Sequence, residues 1–249
     1  MTEFILKIKK KLFSVRSQTF LGIQLTFLLT FAFSLSGFAC KKKNPQPVDE
    51  EKKGYWLKMN RLHFSVRYHC FEYVQYLLNS GEDPNSEQFN GKLPLHEAIL
   101  SIDNQVISLL IEKTKNLNHR DKEGRTPIYT AVELNKVSVV KELIRAGADP
   151  KIADDSGITP LHLASYLNYP ELIEVLIENG VDPNSRDKDG NTPLHKLTFN
   201  GKADALKKLL EKKASPVLKN LDGLTPLEIA DKKNLTEITE LFSTYPDKK

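Results

Sequence analysis

Six histidines and two cysteines are the residues of this 249-residue chain best able to do chemistry. Histidine could hold zinc or move protons, and cysteine could attack a substrate or ligate a metal. Their spacing argues against all of these. His63, His96, His162 and His195 stand at multiples of 33 residues from one another, so a chain folded in equal units carries one imidazole per layer. Packed helices lie about 8–10 Å apart, whereas a zinc–nitrogen bond is about 2 Å long. These imidazoles are therefore read as hydrogen-bonding groups between neighbouring turns. His69 and His119 have no second ligand at i,i+4 and stay unassigned. The sequence contains no HExxH helix, phosphate-cradling glycine loop or Gly-x-Ser-x-Gly elbow. Two cysteines build neither a disulfide framework nor a four-cysteine zinc site, and Cys70 reads as a small buried hydrophobe. The expectation is a non-enzyme with no catalytic, cofactor-binding or metal-ligating residues.

Glycine marks the layers that would position these side chains. Gly91, Gly124, Gly157, Gly190 and Gly223 are each 33 residues apart. Around them recur Gly91-Lys-Leu-Pro-Leu-His96, Gly124-Arg-Thr-Pro-Ile-Tyr129, Gly157-Ile-Thr-Pro-Leu-His162, Gly190-Asn-Thr-Pro-Leu-His195 and Gly223-Leu-Thr-Pro-Leu-Glu228. Thr126, Thr159, Thr192 and Thr225 can cap a helix start, and the following proline is preset for the first helical position. The short helix then carries Ala98, Ala131, Ala164 or Ala230, small enough for close packing, and ends at Asn135, Asn168, Gly201 or Asn234, which tolerate a left-handed exit. A second helix shows apolar residues at helical spacing, as in Val139, Val140, Leu143 and Ile144 or Leu172, Ile173, Leu176 and Ile177. Gly81, Gly147 or Gly180 stops it, and Asp83-Pro84, Asp149-Pro150 or Asp182-Pro183 starts a projecting turn.

This pattern resembles the ankyrin repeat, whose length and Thr-Pro-Leu-His signature it reproduces from about Gly54 onward. The resemblance implies an all-α solenoid of helix–turn–helix units joined by β-turn or hairpin loops, with units starting near residues 55, 88, 121, 154, 187 and 220. Several positions depart from it. The first unit lacks Thr-Pro, Leu93 replaces threonine, and Ile102 at the helix-ending position predicts a longer or irregular first helix. Thr114 and Ala214 are read as replacing the glycine after the second helix, and Leu197 replaces the small alanine. The resemblance also implies partner binding through the turn tips and the exposed face of the first helices. Matched position by position, the tips are Trp56, Phe89, Lys122, Asp155, Lys188 and Leu221, with Arg125 and Ile158 just past the glycine and Tyr166 and Phe199 near the helix ends. Aromatic residues at such positions suit binding hot spots. The expected partner is another protein, bound by a monomer.

Residues 1–40 hold five cations and one anion, while the other 209 residues carry 31 charges of each sign. The repeat part is therefore neutral, which excludes the surplus of Lys and Arg that nucleic-acid binding needs. From Ser17 to Cys40 no side chain is charged, and Phe20–Ala39 is an apolar run of twenty residues, enough to span a bilayer as a helix. The basic stretch before it, with Gly37 and Ala39 before Cys40, matches an export signal. The arrangement resembles a bacterial lipoprotein signal with Cys40 as the lipidated first residue. A signal cleaved after Ala39 and an uncleaved anchor are the alternatives. The expected organisation is a signal or membrane anchor over 1–39, a flexible tether over 40–53 and the repeat domain over 54–249. The expected role is a membrane-held interaction scaffold on the bacterial cell envelope, periplasmic or outer. The alternatives are a periplasmic inhibitor, immunity-type or stress-protective protein acting on one enzyme, or a secreted host-interacting protein.

Overall fold

The computed structural model describes residues 61–101, 103–201 and 203–245. The leader, Cys40, the tether and Trp56 lie outside the described residues. Among the described residues there are twelve helices and no strand. They come in pairs: α1 (Arg61–Arg67) with α2 (Phe71–Asn79), α3 (Pro94–Leu100) with α4 (Asn104–Lys113), α5 (Pro127–Glu133) with α6 (Val137–Arg145), α7 (Pro160–Tyr166) with α8 (Pro170–Glu178), α9 (Pro193–Asn200) with α10 (Asp204–Glu211), and α11 (Pro226–Lys232) with α12 (Thr236–Thr244). None of these helices is long and apolar enough to cross a membrane.

The first helix of each pair begins as its residue types require. The hydroxyls of Thr126, Thr159 and Thr225 accept the N–H of Tyr129, His162 and Glu228 at 3.3, 3.3 and 3.2 Å, a cap worth about 1 kcal/mol. Leu93 has no oxygen to offer. Its own N–H instead donates to Nδ1 of His96 at 3.2 Å.

Asn135, Asn168, Gly201 and Asn234 take left-handed φ values of 53°, 58°, 67° and 55° at the helix exits, and His69 joins them at 58°. The expected lengthening of α3 does not occur: it has seven residues, like α5 and α7. Its exit is irregular, because Ser101 is extended (φ −82°, ψ 172°) and the Asp103 carboxylate caps α4. The position after the second helix also needs a correction. In the fifth unit it is Lys213, not Ala214, that turns left-handed (φ 67°), while Ala214 is buried one residue further on. Thr114 does not turn at all. It is extended at φ −78° and ψ 121°, and α4 runs to ten residues where α2, α6 and α8 have nine.

First helices pack on the first helices of neighbouring units, and second helices on second. One apolar seam runs through all of them. Leu95, Ile128, Leu161 and Leu194 hold equivalent places and are fully buried, and Leu197 fits the alanine position without being expelled. Leu227, the same place in the last described unit, is exposed.

Between pairs the chain projects a turn. Asp121, Asp154 and Asp187 close it, Oδ1 of each accepting two backbone N–H groups at 2.8–3.0 Å. The N–H of each tip donates to the turn before it: Lys122 to Asn90 at 3.0 Å, Asp155 to Glu123 at 3.2 Å, Lys188 to Ser156 at 3.2 Å and Leu221 to Asp189 at 2.9 Å. This approach explains the periodic glycine. Gly124 has φ +76°, and a side-chain carbon there would lie 2.6 Å from the Asp155 nitrogen. Gly223 has φ +74° with nothing within 4 Å.

Gly223→Ala should therefore carry only left-handed strain, about 1–2 kcal/mol. Gly124→Ala should add an overpacking cost of about 1–3 kcal/mol. Urea unfolding midpoints of the two variants measure the difference, and equal losses would show that the approach of neighbouring turns is not what demands glycine.

Candidate functional site

His63, His96, His162 and His195 are fully buried. Their Nε2 atoms face carbonyl oxygens of the next unit, on Lys92 at 3.1 Å, Arg125 at 3.3 Å, Asn191 at 3.0 Å and Leu224 at 3.0 Å. In the last three, Nδ1 accepts the backbone N–H of Leu93, Thr159 or Thr192 at 3.1–3.3 Å. An accepting Nδ1 fixes the neutral tautomer, with the proton on Nε2 donated to the carbonyl. Both nitrogens of these three rings are thus occupied by backbone, leaving no lone pair for a metal or a substrate proton. The rings of His96 and His119 approach to 6.0 Å, but His119 Nε2 lies 2.8 Å from the Gly91 carbonyl oxygen. Among the described residues no group of three His, Cys, Asp or Glu side chains could hold a metal ion.

Of the two departures from histidine, the tyrosine keeps the bond to the next unit and the glutamate does not. Tyr129 donates its O–H to Asp154 of the next unit at 3.0 Å, and burial together with that carboxylate pushes the phenol pKa up. Glu228 accepts the N–H and O–H of Thr225 at 2.7 and 3.1 Å. It makes the bond within its own unit and holds its carboxyl below the usual range through those donors.

What remains outside the stacking is a surface. Phe89 and Leu221 are each 77 % exposed at the tips of the first and last described turns, with Lys122, Asp155 and Lys188 exposed at the tips between them. Asp155 is ion-paired to Arg120 at 2.8 Å. Arg125 is half-buried, pairs with Glu123 at 2.8 Å and lies 5.6 Å over the Tyr129 ring. Arg125 is thus partly committed to its own turn, and Asp155 to the turn before it. Ile158 is half-buried behind its tip, and Trp56 lies outside the described residues.

Tyr166 ends α7 and Phe199 is the penultimate residue of the adjacent α9; they are 47 % and 37 % exposed. The Lys233 ammonium donates to the Phe199 carbonyl at 2.8 Å and sits 5.4 Å from its ring centre. The structure extends this line through Leu100 and Leu134, 46 % and 40 % exposed at the ends of α3 and α5. Both belong to the helix-end positions that the sequence register matches, although only the aromatic residues there are singled out as anchors. Leu100 keeps the register of Tyr166, and that register was the signal available. A separate open cleft of about 560 Å³ lies at the ends of α4 and α6, lined by Lys115, Arg145, Glu112 and Glu142 among others. Its charges balance, and it gathers no convergent set of groups.

A family model described as ankyrin repeats (3 copies) matches residues 38–121, 62–154, 103–187 and 161–248 in overlapping stretches. No curated protein matches the chain.

Burial lowers the pKa of all four ladder histidines, that of His96 to about 4 from an ordinary 6.5. The unfolded chain therefore binds more protons between these values, so stability is full above about pH 6.5 and is lost as pH falls toward 4. For His96 alone the loss is roughly 3 kcal/mol. Urea midpoints from pH 7 to pH 4 and an NMR titration of His96 measure it. An imidazole titrating near 6.5 would refute the buried neutral ladder.

Proposed function

The chain belongs to the ankyrin-repeat family, and we propose that it is a non-catalytic scaffold that binds another protein through its turn tips and first-helix ends. The observation that carries this is the row of apolar side chains at the first-helix ends, Leu100, Tyr166 and Phe199 in register and Leu134 one residue beyond it. Four neighbouring units each leave a large apolar side chain exposed at the helix end, where stacking does not need one. Aligned apolar surface of this kind signifies contact, and aromatic side chains in it serve as anchors. The polar groups that could have done chemistry are instead engaged in stitching units together.

The scaffold acts from a membrane of the bacterial envelope. The basic N-terminal stretch, the uncharged run Ser17–Cys40 and the small residues Gly37 and Ala39 support export. Acylation of Cys40 as the first residue of the mature chain requires the disulfide that holds Cys70 in the structure to be open, and residues 41–53 then lift the repeats off the surface. Each buried methylene adds about 0.8 kcal/mol, so more than one acyl chain holds the protein firmly. The mature protein is a monomer that meets its partner at the envelope.

Cross-linking in native cells tests the binding face. Tyr166→Ala combined with Phe199→Ala should lower partner capture at least tenfold, while each change costs about 0.5–3 kcal/mol of unfolding free energy and leaves the cooperative fold intact, because both side chains are only partly buried. Undiminished capture would remove this face from the proposal. Mass spectrometry of the mature N-terminus tests the anchor: an acylated Cys40 is expected. An intact leader, or an unacylated Cys40 found in a disulfide with Cys70, would overturn it.

A further inference from the structure

We infer that the first two helix pairs, α1–α4, open from the rest of the array as one block while α5–α12 stay folded, with Lys136 as the latch between them. Each repeat touches only its neighbours, so the stability of such an array is close to a sum of unit and boundary contributions, and a local defect stays local. The defects gather in this block. Gln88 stands 33 residues before Asp121, where three later turns have the carboxylate that closes them. It supplies no carboxylate oxygen, and its amide nitrogen is buried without a hydrogen-bond partner. In its stead Asn90 Oδ1 accepts a single N–H, from Lys92 at 3.1 Å. The Thr114 hydroxyl after α4 is buried and unpartnered, and so is Nδ1 of His63, the one ladder imidazole whose Nδ1 accepts no backbone N–H. Leu93 leaves the start of α3 without a side-chain cap. Elsewhere among the described residues only Arg125 Nε and Ser185 Oγ lack a partner in the same way. A buried polar group without a partner carries its full desolvation cost, about tenfold in the opening equilibrium for each.

The other end of the array is built differently. Asp231 and Thr239 stand in register with buried Ile99 and Ile107 of the second unit and Val132 and Val140 of the third. In the last unit these positions are polar and bond to each other, Thr239 Oγ1 donating to Asp231 at 3.3 Å. The four helix pairs α5–α12 also exceed the roughly three that a stable stack needs.

The first two units are tied to each other. Arg67 on α1 reaches buried Glu97 on α3 at 3.3 Å, and His63 Nε2 faces the Lys92 carbonyl at 3.1 Å. Between helices, the boundary beyond α4 is looser. His96 meets the Arg125 carbonyl at 3.3 Å, the longest of the four ladder bonds. Among the described residues no ion pair joins α3 or α4 to α5 or α6, whereas Lys141–Glu171 and Lys208–Glu174 join the second helices that follow. What holds the irregular exit of α3 is the half-buried Lys136 ammonium, which donates to the Ser101 carbonyl. On the scaffold reading, opening takes Leu100 out of the row of anchors and leaves Tyr166 and Phe199 in place.

Hydrogen exchange tests this on the full chain, purified from membranes in detergent with reductant present so that the disulfide on Cys70 is open, and read by mass spectrometry over low urea concentrations. The slowest amides of α1–α4 should exchange at least about a hundredfold faster than those of α7–α10 and respond to urea together. Gln88→Asp with Thr114→Val returns the closing carboxylate and removes the unpartnered hydroxyl, and should slow the block at least about tenfold. Lys136→Met should speed it by a similar factor. Neither variant should change α7–α10. One common protection across all helices, or separate exchange of α1–α2 and α3–α4, overturns the inference. So does a block that neither variant shifts, or variants that move α7–α10 as much as the block. No partner takes part in the measurement, so its failure leaves the scaffold reading standing, and undiminished capture by Tyr166→Ala with Phe199→Ala leaves the opening untouched.

Discussion

Each projecting turn comes within hydrogen-bond reach of the one before it, and this approach governs what the other residues can be. The tip N–H groups reach the preceding carbonyls at 2.9–3.2 Å, which leaves no room for a side chain at the intervening glycine. Two further lines of bonds run parallel to that one. The buried histidines join units along the first helices. Along the loops, Asn85, Asn118 and Asn184 accept the N–H of Lys115, Asp149 and Ser215 at 3.0, 2.8 and 2.7 Å. Each bond is worth about 1 kcal/mol net. A slip of one residue between units would break all three lines together, so the register is held by their coincidence rather than by any single strong contact.

Charges reinforce the order of units on the opposite side. Lys141 on α6 meets Glu171 on α8 at 3.2 Å, and Lys208 on α10 and Lys212 just past its end meet Glu174 and Glu178 on α8 at 3.3 and 2.9 Å. Such exposed pairs contribute little stability individually. Their alternation in sign from helix to helix matters more, since a wrong neighbour would bring like charges together. Where a charge is buried, its partner is close. Glu97 is bound by Arg67 at 3.3 Å, and Asp187 by Lys196 at 2.5 Å. Burial alone would raise the Asp187 carboxyl, but the Lys196 ammonium and the Asn191 N–H outweigh it and hold it low.

The repeat is legible in the sequence wherever one residue type alone meets a constraint. Glycine at the tip, threonine at the cap, histidine between units and asparagine at the helix exit each satisfy a demand of sterics or hydrogen bonding. Lys213 was hidden because lysine gives no sign of a left-handed backbone; only its offset of 33 residues from Gly180 marks it. The extended Ser101 was hidden because its neighbour leaves no residue suited to a left-handed exit, and the form of the alternative exit is not encoded in one position. At the proposed binding face, Tyr166 and Phe199 stood out because stacking gives them no task. Leu100 and Leu134 did not, since leucine at the end of a helix is what a core also predicts. Arg125 and Asp155 read as partner-binding positions, and Glu123 and Arg120 hold them through contacts that sequence spacing does not reveal.

The face that stacking leaves free has also been made suitable for contact by stacking itself. Helix ends normally present carbonyl groups that must keep their water. Here side chains of the next unit cover several of them: the Lys136 ammonium donates to the Ser101 carbonyl, the Asn200 amide to that of Tyr166, and the Lys233 ammonium to that of Phe199. The apolar side chains beside these ends are therefore presented with some of the neighbouring backbone already satisfied. A partner covering Tyr166 or Phe199 strips water from hydrocarbon and ring while leaving fewer polar groups unpaired. The stacked units also hold the anchors in place before binding, which reduces the ordering cost of association. Equivalent positions along this line hold Leu100, Glu133, Tyr166, Phe199 and Lys232, a variety that the stacked positions do not permit. Recognition can vary there because the bonds that fix the fold lie elsewhere.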